Sequence, residues 1–264
     1  MQKIKLKSSK ISKIKISLFR LMSVKLLLIT GWGGGTKLLV PLKHGLEEYG
    51  YEVELINIFN ALDINILQQH VEHAKQFNVI VGWSLGGQLA TLLVDQIKKQ
   101  YHQYKILITL GSNPCFVQTE DWQYAMSKDE FKQFKTSFDK DAVSTLKKFG
   151  FMVCQGMLTA KDDFRTLQSL IQAQNLDTLK AGLDVLGTFN NVNILQDYDG
   201  YQYHLFAKQD YLVSYKVQQK IAKLAVKFLE TELISGSHGF PLFYSQDVSC
   251  KIYQYLEKIK KSCE

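Results

Sequence analysis

The run at residues 78–89, Asn-Val-Ile-Val-Gly-Trp-Ser-Leu-Gly-Gly-Gln-Leu, restricts the fold of this chain more than any other segment. Val79, Ile80 and Val81 read as a short buried strand, and residues 85–94 carry the apolar spacing of a helix. Strand and helix are therefore joined by one tight turn, Gly82-Trp83-Ser84-Leu85-Gly86. Gly82 and Gly86 leave room for a sharp turn that strains Ser84, while Gly87 and Ala90 let the helix lie close to the sheet. A serine hydroxyl is a weak nucleophile at neutral pH; it needs a base to take its proton and N–H donors to receive an oxyanion. The apex of such a turn supplies that setting, the nucleophile elbow. A bare G-x-S-x-G can also be a structural turn, and the strand before it and helix after it are what favour Ser84 as a nucleophile.

The rest of the chain builds outward from this unit. Residues 24–30 form a predicted strand entering the loop Gly31-Trp32-Gly33-Gly34-Gly35, with a helix over 37–49, a strand over 51–57 and a helix over 64–74. After the elbow helix, residues 105–110 are a further apolar run ending in Gly111-Ser112-Asn113-Pro114. Alternating strands and helices predict an α/β fold with a mostly parallel sheet covered on both faces. The pattern then changes. Residues 115–192 contain no convincing strand, only helical stretches at 119–126, 128–138, 141–155, 162–172 and 176–186. Such an insertion is expected to be a helical cap over the sheet's C-terminal edge. Alternation resumes with a strand at 201–207, a helix near 214–224, a strand near 227–233 and a final helix at 247–260. The expected organisation is a core of residues 22–114 and 193–264, a cap of 115–192 and a basic extension of 1–21.

An elbow in an α/β sheet implies an acid after a late strand and a histidine before the last helix, the α/β-hydrolase order. Asp210 follows the run His204-Leu205-Phe206-Ala207-Lys208-Gln209, and His238 lies in Ser235-Gly236-Ser237-His238-Gly239-Phe240. His238 is the expected base toward Ser84, with Asp210 holding its tautomer. His44, His70, His73 and His102 fall on helices or helix ends, His204 falls inside a strand, and Asp197 and Asp199 precede the strand that should lead to the acid. The oxyanion donors are expected on the residue after the serine and in the loop after the first strand, which are Leu85 and Trp32. The glycines at 31–35 do not spell a phosphate-binding loop, having neither G-x-G-x-x-G nor a Lys-Ser/Thr pair at the required spacing.

The net charge of +7 would suggest a polyanion partner, but residues 1–21 hold seven basic side chains and no acid. Taking those seven from the 32 basic residues leaves 25, which equals the 25 acids. The body is thus neutral and nucleic acid is not an expected partner. Arg20 and Lys25 interrupt any signal-peptide core, and the lysines of the head alternate with its apolar residues at period two, unlike a membrane-surface helix. The head reads as a disordered extension upstream of a natural start at Met22, with an organelle-targeting leader as the alternative. Cys115, Cys154, Cys250 and Cys263 lack metal-ligand spacing and are expected to be reduced thiols. No apolar run is long enough to span a membrane.

Beyond the elbow, Gly31-Trp32-Gly33, Gly82-Trp83-Ser84-Leu85-Gly86-Gly87, Ser112-Asn113-Pro114-Cys115-Phe116 with Asp121-Trp122, and Leu183-Asp184-Val185-Leu186 carry a resemblance. Over nearly all of residues 24–260 the chain resembles the pimeloyl-acyl-carrier-protein methyl ester esterases of biotin synthesis, the BioH type of α/β-hydrolase. The resemblance implies hydrolysis of a methyl ester on a pimeloyl chain held by acyl carrier protein, with release of methanol. It implies Ser84 as nucleophile, His238 as base, Asp210 as its partner, Trp32 and Leu85 as oxyanion and ester contacts, and Phe151 and Gln155 as acyl-chain contacts. Lys148, Lys161 and Arg165 match basic cap residues that dock the acidic carrier, although a solvated helix face fits them as well. Two departures stand out: Thr30-Gly31 replaces the usual His-Gly, and the cap near residues 149–155 needs a small length change. A cytoplasmic monomer without metal or cofactor is expected. The alternatives are a broader short-chain carboxylesterase or thioesterase and a non-catalytic binding module.

Overall fold

The computed structural model describes residues 24–224 and 226–262, so the basic head and Cys263 lie outside the described residues. Six parallel strands form one sheet in the order β2-β1-β3-β4-β5-β6: β1 Lys25–Ile29, β2 Glu52–Ile56, β3 Val79–Trp83, β4 Ile106–Leu110, β5 Gln202–Ala207 and β6 Leu229–Ile234. The inner strands read as nearly continuous apolar runs because both faces are covered. Along β1, Leu26 and Leu28 join the core on one face while Leu27 and Ile29 join the core on the other, as a two-residue period requires.

The helices follow in chain order: α1 Val40–Glu48, α2 Ile64–Ala74, α3 Leu85–Tyr101, α4 Lys128–Lys140, α5 Ala142–Cys154, α6 Ala160–Leu170, α7 Leu176–Thr188, α8 Val192–Asp197, α9 Lys216–Ile221, α10 Phe240–Phe243 and α11 Ser245–Lys261. Helices α1 and α11 cover one face of the sheet; α2, α3 and α9 cover the other. Local chemistry sets several of their ends. The expected helix over 37–49 is split into a 3-10 turn, Thr36–Leu39, and α1, with Pro41 in its first turn, where a missing N–H costs nothing. Ser127 and Glu130 form a capping box on α4, Asn175 caps α7 and Asp63 caps α2.

Helices α4 to α7 lie between β4 and β5, but the expected helix at 119–126 is absent. That segment is a bent loop folded back on itself: Gln118 N–H donates to Met126 O (2.9 Å) and Met126 N–H to Phe116 O (3.0 Å). Buried Trp122 is fixed from outside the segment, its Nε1–H donating to Asn113 Oδ1 at 2.8 Å. Helical bonds within 119–126 would break both sets. A further short helix, α8, precedes β5 where no helix is expected.

Candidate active site

Ser84 stands between β3 and α3 with φ 56° and ψ −120°, backbone that a β-carbon disfavours. The turn is held from both sides: Ser84 N–H donates to Leu110 O on β4, and Gly87 N–H donates to Ser84 O, both at 2.9 Å. Its glycines are sterically required. A Cβ on Gly82 would lie 2.1 Å from Gly86 O, and one on Gly86 would lie 2.4 Å from the carbonyl oxygens of Ile29 and Thr30. Helix α3 thereby begins in contact with the end of β1, which brings the loop after β1 beside the serine. A Cβ on Gly31 would be 3.2 Å from the Ser84 Cβ.

Ser84 Oγ is 2.9 Å from His238 Nε2, and His238 Nδ1 is 2.7 Å from Asp210 Oδ2. The imidazole and the carboxylate are buried. Asp210 also accepts at Oδ1 from Leu212 N–H and Val213 N–H, both at 2.8 Å, which leaves Oδ2 aimed at the ring. An ionised carboxylate facing Nδ1 fixes the proton there, so Nε2 presents its lone pair to the serine hydroxyl. The two loops are zipped together: Gln209 N–H donates to Gly236 O (3.0 Å) and Gly236 N–H to Gln209 Oε1 (2.8 Å). Trp83 Nε1–H donates to His238 O at 3.0 Å, tying the histidine loop to the elbow. The remaining rivals lie elsewhere. Asp197 and Asp199 are exposed, as are His44 and His102. His73 bonds Glu54 and His70 stacks on Phe59. His204 is wholly buried with Nδ1 against Thr109 Oγ1 (2.7 Å), and burial lowers its pKa to about 3.

Leu85 opens α3, so its N–H has no acceptor within the helix, and the N–H of Trp32 belongs to the loop packed against Ser84. Both residues are buried. The Trp32 indole donates from Nε1 to Leu179 O on α7 (2.8 Å) and meets Phe134, Phe138 and Phe149 edge-on. Above Ser84 and His238 lies a narrow cavity. Its walls are apolar: Phe131 and Phe134 of α4, Phe149 and Met152 of α5, Leu183 and Leu186 of α7, with Phe116, Met126 and Leu212 from loops. Met126, Phe134, Met152 and Leu212 also border a wider surface groove whose outer wall carries Gln123, Tyr124, Gln133, Tyr211 and Lys216.

Phe151 and Gln155, matched by resemblance to acyl-chain contacts, do not line the cavity. Two residues along a helix turn the side chain by about 200°, so with Phe149 facing inward Phe151 faces out. It is 42% exposed and touches Phe164 of α6. Gln155 follows the end of α5 in extended backbone (φ −66°, ψ 144°). Lys148 and Lys161 are exposed on α5 and α6, and exposed Arg165 pairs with Asp162 at 2.6 Å. Phe131 and Phe134 were not anticipated from the sequence. The available signal was Phe131, Phe134 and Phe138 at i, i+3 and i+7 in an otherwise polar helix. Among the described residues, no helix is long and apolar enough to cross a membrane, and no group of three or more His, Cys, Asp or Glu could hold a metal.

No family model matches the chain. Among curated proteins it is 30% identical over 173 residues to the pimeloyl-[acyl-carrier protein] methyl ester esterase of Xylella fastidiosa, covering 61% of this chain and 66% of the relative. It is 26% identical over 252 residues to the protein of the same name from Wigglesworthia glossinidia brevipalpis, covering 89% and 94%. A biotin biosynthesis bifunctional protein BioHC from Saccharophagus degradans is 26% identical over 234 residues, covering 83% of this chain; the chain spans only 41% of that relative's length. Among solved structures, a bromoperoxidase from Bacillus anthracis superposes with a TM-score of 0.76 at 16% identity, covering 89% of this chain and 92% of that one, a likeness of fold. Over most of its length the chain is thus similar to proteins named pimeloyl-[acyl-carrier protein] methyl ester esterase, and its fold is that of the α/β-hydrolases.

Proposed function

We propose that this protein is a serine carboxylesterase that hydrolyses the methyl ester of a pimeloyl chain on acyl carrier protein. The observation that carries the reading is the bonded series Ser84–His238–Asp210, set on a strained elbow beneath an apolar cavity. Ser84 Oγ attacks the ester carbonyl carbon while His238 Nε2 takes its proton. The negative charge that develops on the carbonyl oxygen is received by the N–H groups of Leu85 and Trp32. The C–OCH₃ bond breaks as His238 returns the proton, and methanol leaves an acyl-Ser84 ester. Water, deprotonated by His238, then attacks that ester; His238 returns that proton to Ser84 Oγ as the C–O bond breaks, and the carboxylic acid departs and loses its proton to solvent. Asp210 stays ionised throughout and stabilises the imidazolium.

The substrate reading comes from the relatives' names and agrees with the cavity. A methylene chain gains roughly 0.8 kcal/mol per buried CH₂ against walls such as Phe134, Phe149 and Leu183. The polar outer groove suits the hydrated arm linking that chain to its carrier. Exposed Lys148, Lys161 and Arg165 are the residues with which the helical insertion would meet an acidic carrier, with the insertion serving as cap over the core and the protein working in the cytoplasm.

The test is methanol release from pimeloyl-acyl-carrier-protein methyl ester beside release from a small aryl ester. A strong preference for the carrier-bound ester is expected, and Ser84→Ala should abolish both activities with an unchanged circular dichroism spectrum. Turnover of the aryl ester alone would move the protein to the general carboxylesterases, and an unreactive Ser84 toward a fluorophosphonate would leave only a binding module.

A further inference from the structure

The loop that carries the Trp32 N–H is a poor support by itself. Gly33, Gly34 and Gly35 follow in succession, two of them with positive φ, and glycine restricts the backbone least of all residues. Yet an oxyanion donor must be held to within about half an ångström of its working position. The Trp32 indole is anchored to α7, and the glycine run after it is restrained by the linker between α6 and α7. Gln172 N–H donates to Gly34 O at 3.1 Å, and Gln172 Oε1 accepts from both Lys37 N–H (2.9 Å) and Thr36 Oγ–H (3.1 Å). One side chain thus bridges the far end of the glycine run to the insertion. Gln174 continues the contact: its Nε2 donates to Gln172 O (3.0 Å) and its Oε1 accepts from Asn57 Nδ2, while Asn57 Oδ1 accepts from Thr30 Oγ at 2.7 Å. Thr30 therefore begins a polar chain that returns to Gln172.

We propose that Gln172 is a positioning residue for catalysis: its acceptor oxygen clamps the Gly33–Gly35 loop to the insertion and so holds the Trp32 N–H where the oxyanion forms. The inference rests on Trp32 as an oxyanion donor. Gln172 is absent from the cavity wall, so its loss should spare substrate binding and weaken only the transition state. A further requirement separates this role from general stabilisation. The interaction uses Oε1 as a double acceptor, which a glutamate reproduces and a leucine of similar size does not.

The experiment compares Gln172→Leu and Gln172→Glu with the wild type, measuring kcat and KM on a small aryl ester and the rate of fluorophosphonate labelling of Ser84. Gln172→Leu should lower kcat by about ten- to a hundredfold, the scale for a catalytic group misplaced by up to an ångström. KM should be unchanged, and labelling should slow in parallel, because the phosphonyl oxygen uses the same donors. Gln172→Glu should restore both rates. A Gln172→Leu enzyme with unchanged kcat, a change confined to KM, or a Gln172→Glu variant as impaired as Gln172→Leu would each overturn the assignment. Both probes report on Ser84 whatever acyl group is natural, so failure of the carrier-ester reading would show instead in the methanol assay.

Discussion

Gly86→Ala tests how tightly the elbow depends on the strand beneath it. The new Cβ would lie 2.4 Å from Ile29 O and from Thr30 O, backbone atoms at the end of an inner strand and of the residue just after it. Carbon–oxygen contacts settle near about 3.3–3.6 Å, so the first turn of α3 must retreat by about 1 Å. That turn carries Ser84 and the Leu85 N–H, whereas His238 stands on the loop before α10 and Trp32 is bonded to α7. A shift of about 1 Å between reacting groups costs about a hundredfold in rate. Overpacking of this kind should also remove about 2 kcal/mol of stability, lowering Tm by roughly 4–8 °C in a chain of this size. Gly50→Ala is the control: Gly50 has φ 83° with nothing within 4 Å of its added Cβ, so backbone strain alone applies, about 1–2 kcal/mol, with kcat unchanged. Steady-state hydrolysis of an aryl ester and thermal unfolding of the two variants decide the matter. Gly86→Ala with wild-type kcat and a Tm no lower than that of Gly50→Ala would refute the reasoning, because α3 could then leave β1 without cost to the site.

Three further outcomes are expected. Phe149→Ala removes a cavity wall and should raise KM for a small ester roughly tenfold, while Phe151→Ala should not change it; the reverse ranking would restore Phe151 to the acyl pocket. Replacing Lys148, Lys161 and Arg165 together by Glu should raise KM for the carrier-bound ester, more so at low salt, and leave the small ester unaffected; equal effects on both would remove the docking role. Burial holds His204 neutral to about pH 3, whereas the unfolded chain protonates it below about 6.5, so folding stability falls as pH drops through that window. Urea unfolding at pH 7 and 4.5 should show a loss of about 2–3 kcal/mol that His204→Gln lacks, and identical pH slopes in the two proteins would count against the assignment.

The parts of this molecule that could be read from sequence are those whose causes are local. The elbow is fixed by residues within one strand and one turn, since Gly82 and Gly86 exclude every larger side chain by contact with their own neighbours and with β1. Asp210 and His238 could be placed because the order of strands leaves few loops that open on the same sheet edge. The insertion is different. Residues 149–153 are Phe-Gly-Phe-Met-Val, so the run has apolar side chains on almost every side of the helix and the sequence cannot say which faces inward. The core decides it, by taking Phe149 and Val153 and leaving Phe151 outside. Residues 119–126 are likewise settled by partners outside the segment, Asn113 above all, which holds Trp122. Gln172 is the extreme case, a polar residue in a linker that meets Thr36 and Lys37 across 136 and 135 residues of sequence. Each of these long-range contacts belongs to the insertion and none to the Ser84–His238–Asp210 series. It follows that substitutions in the insertion can change what this site accepts, and how firmly its oxyanion loop is held, without touching the bonded series that gives Ser84 its reactivity.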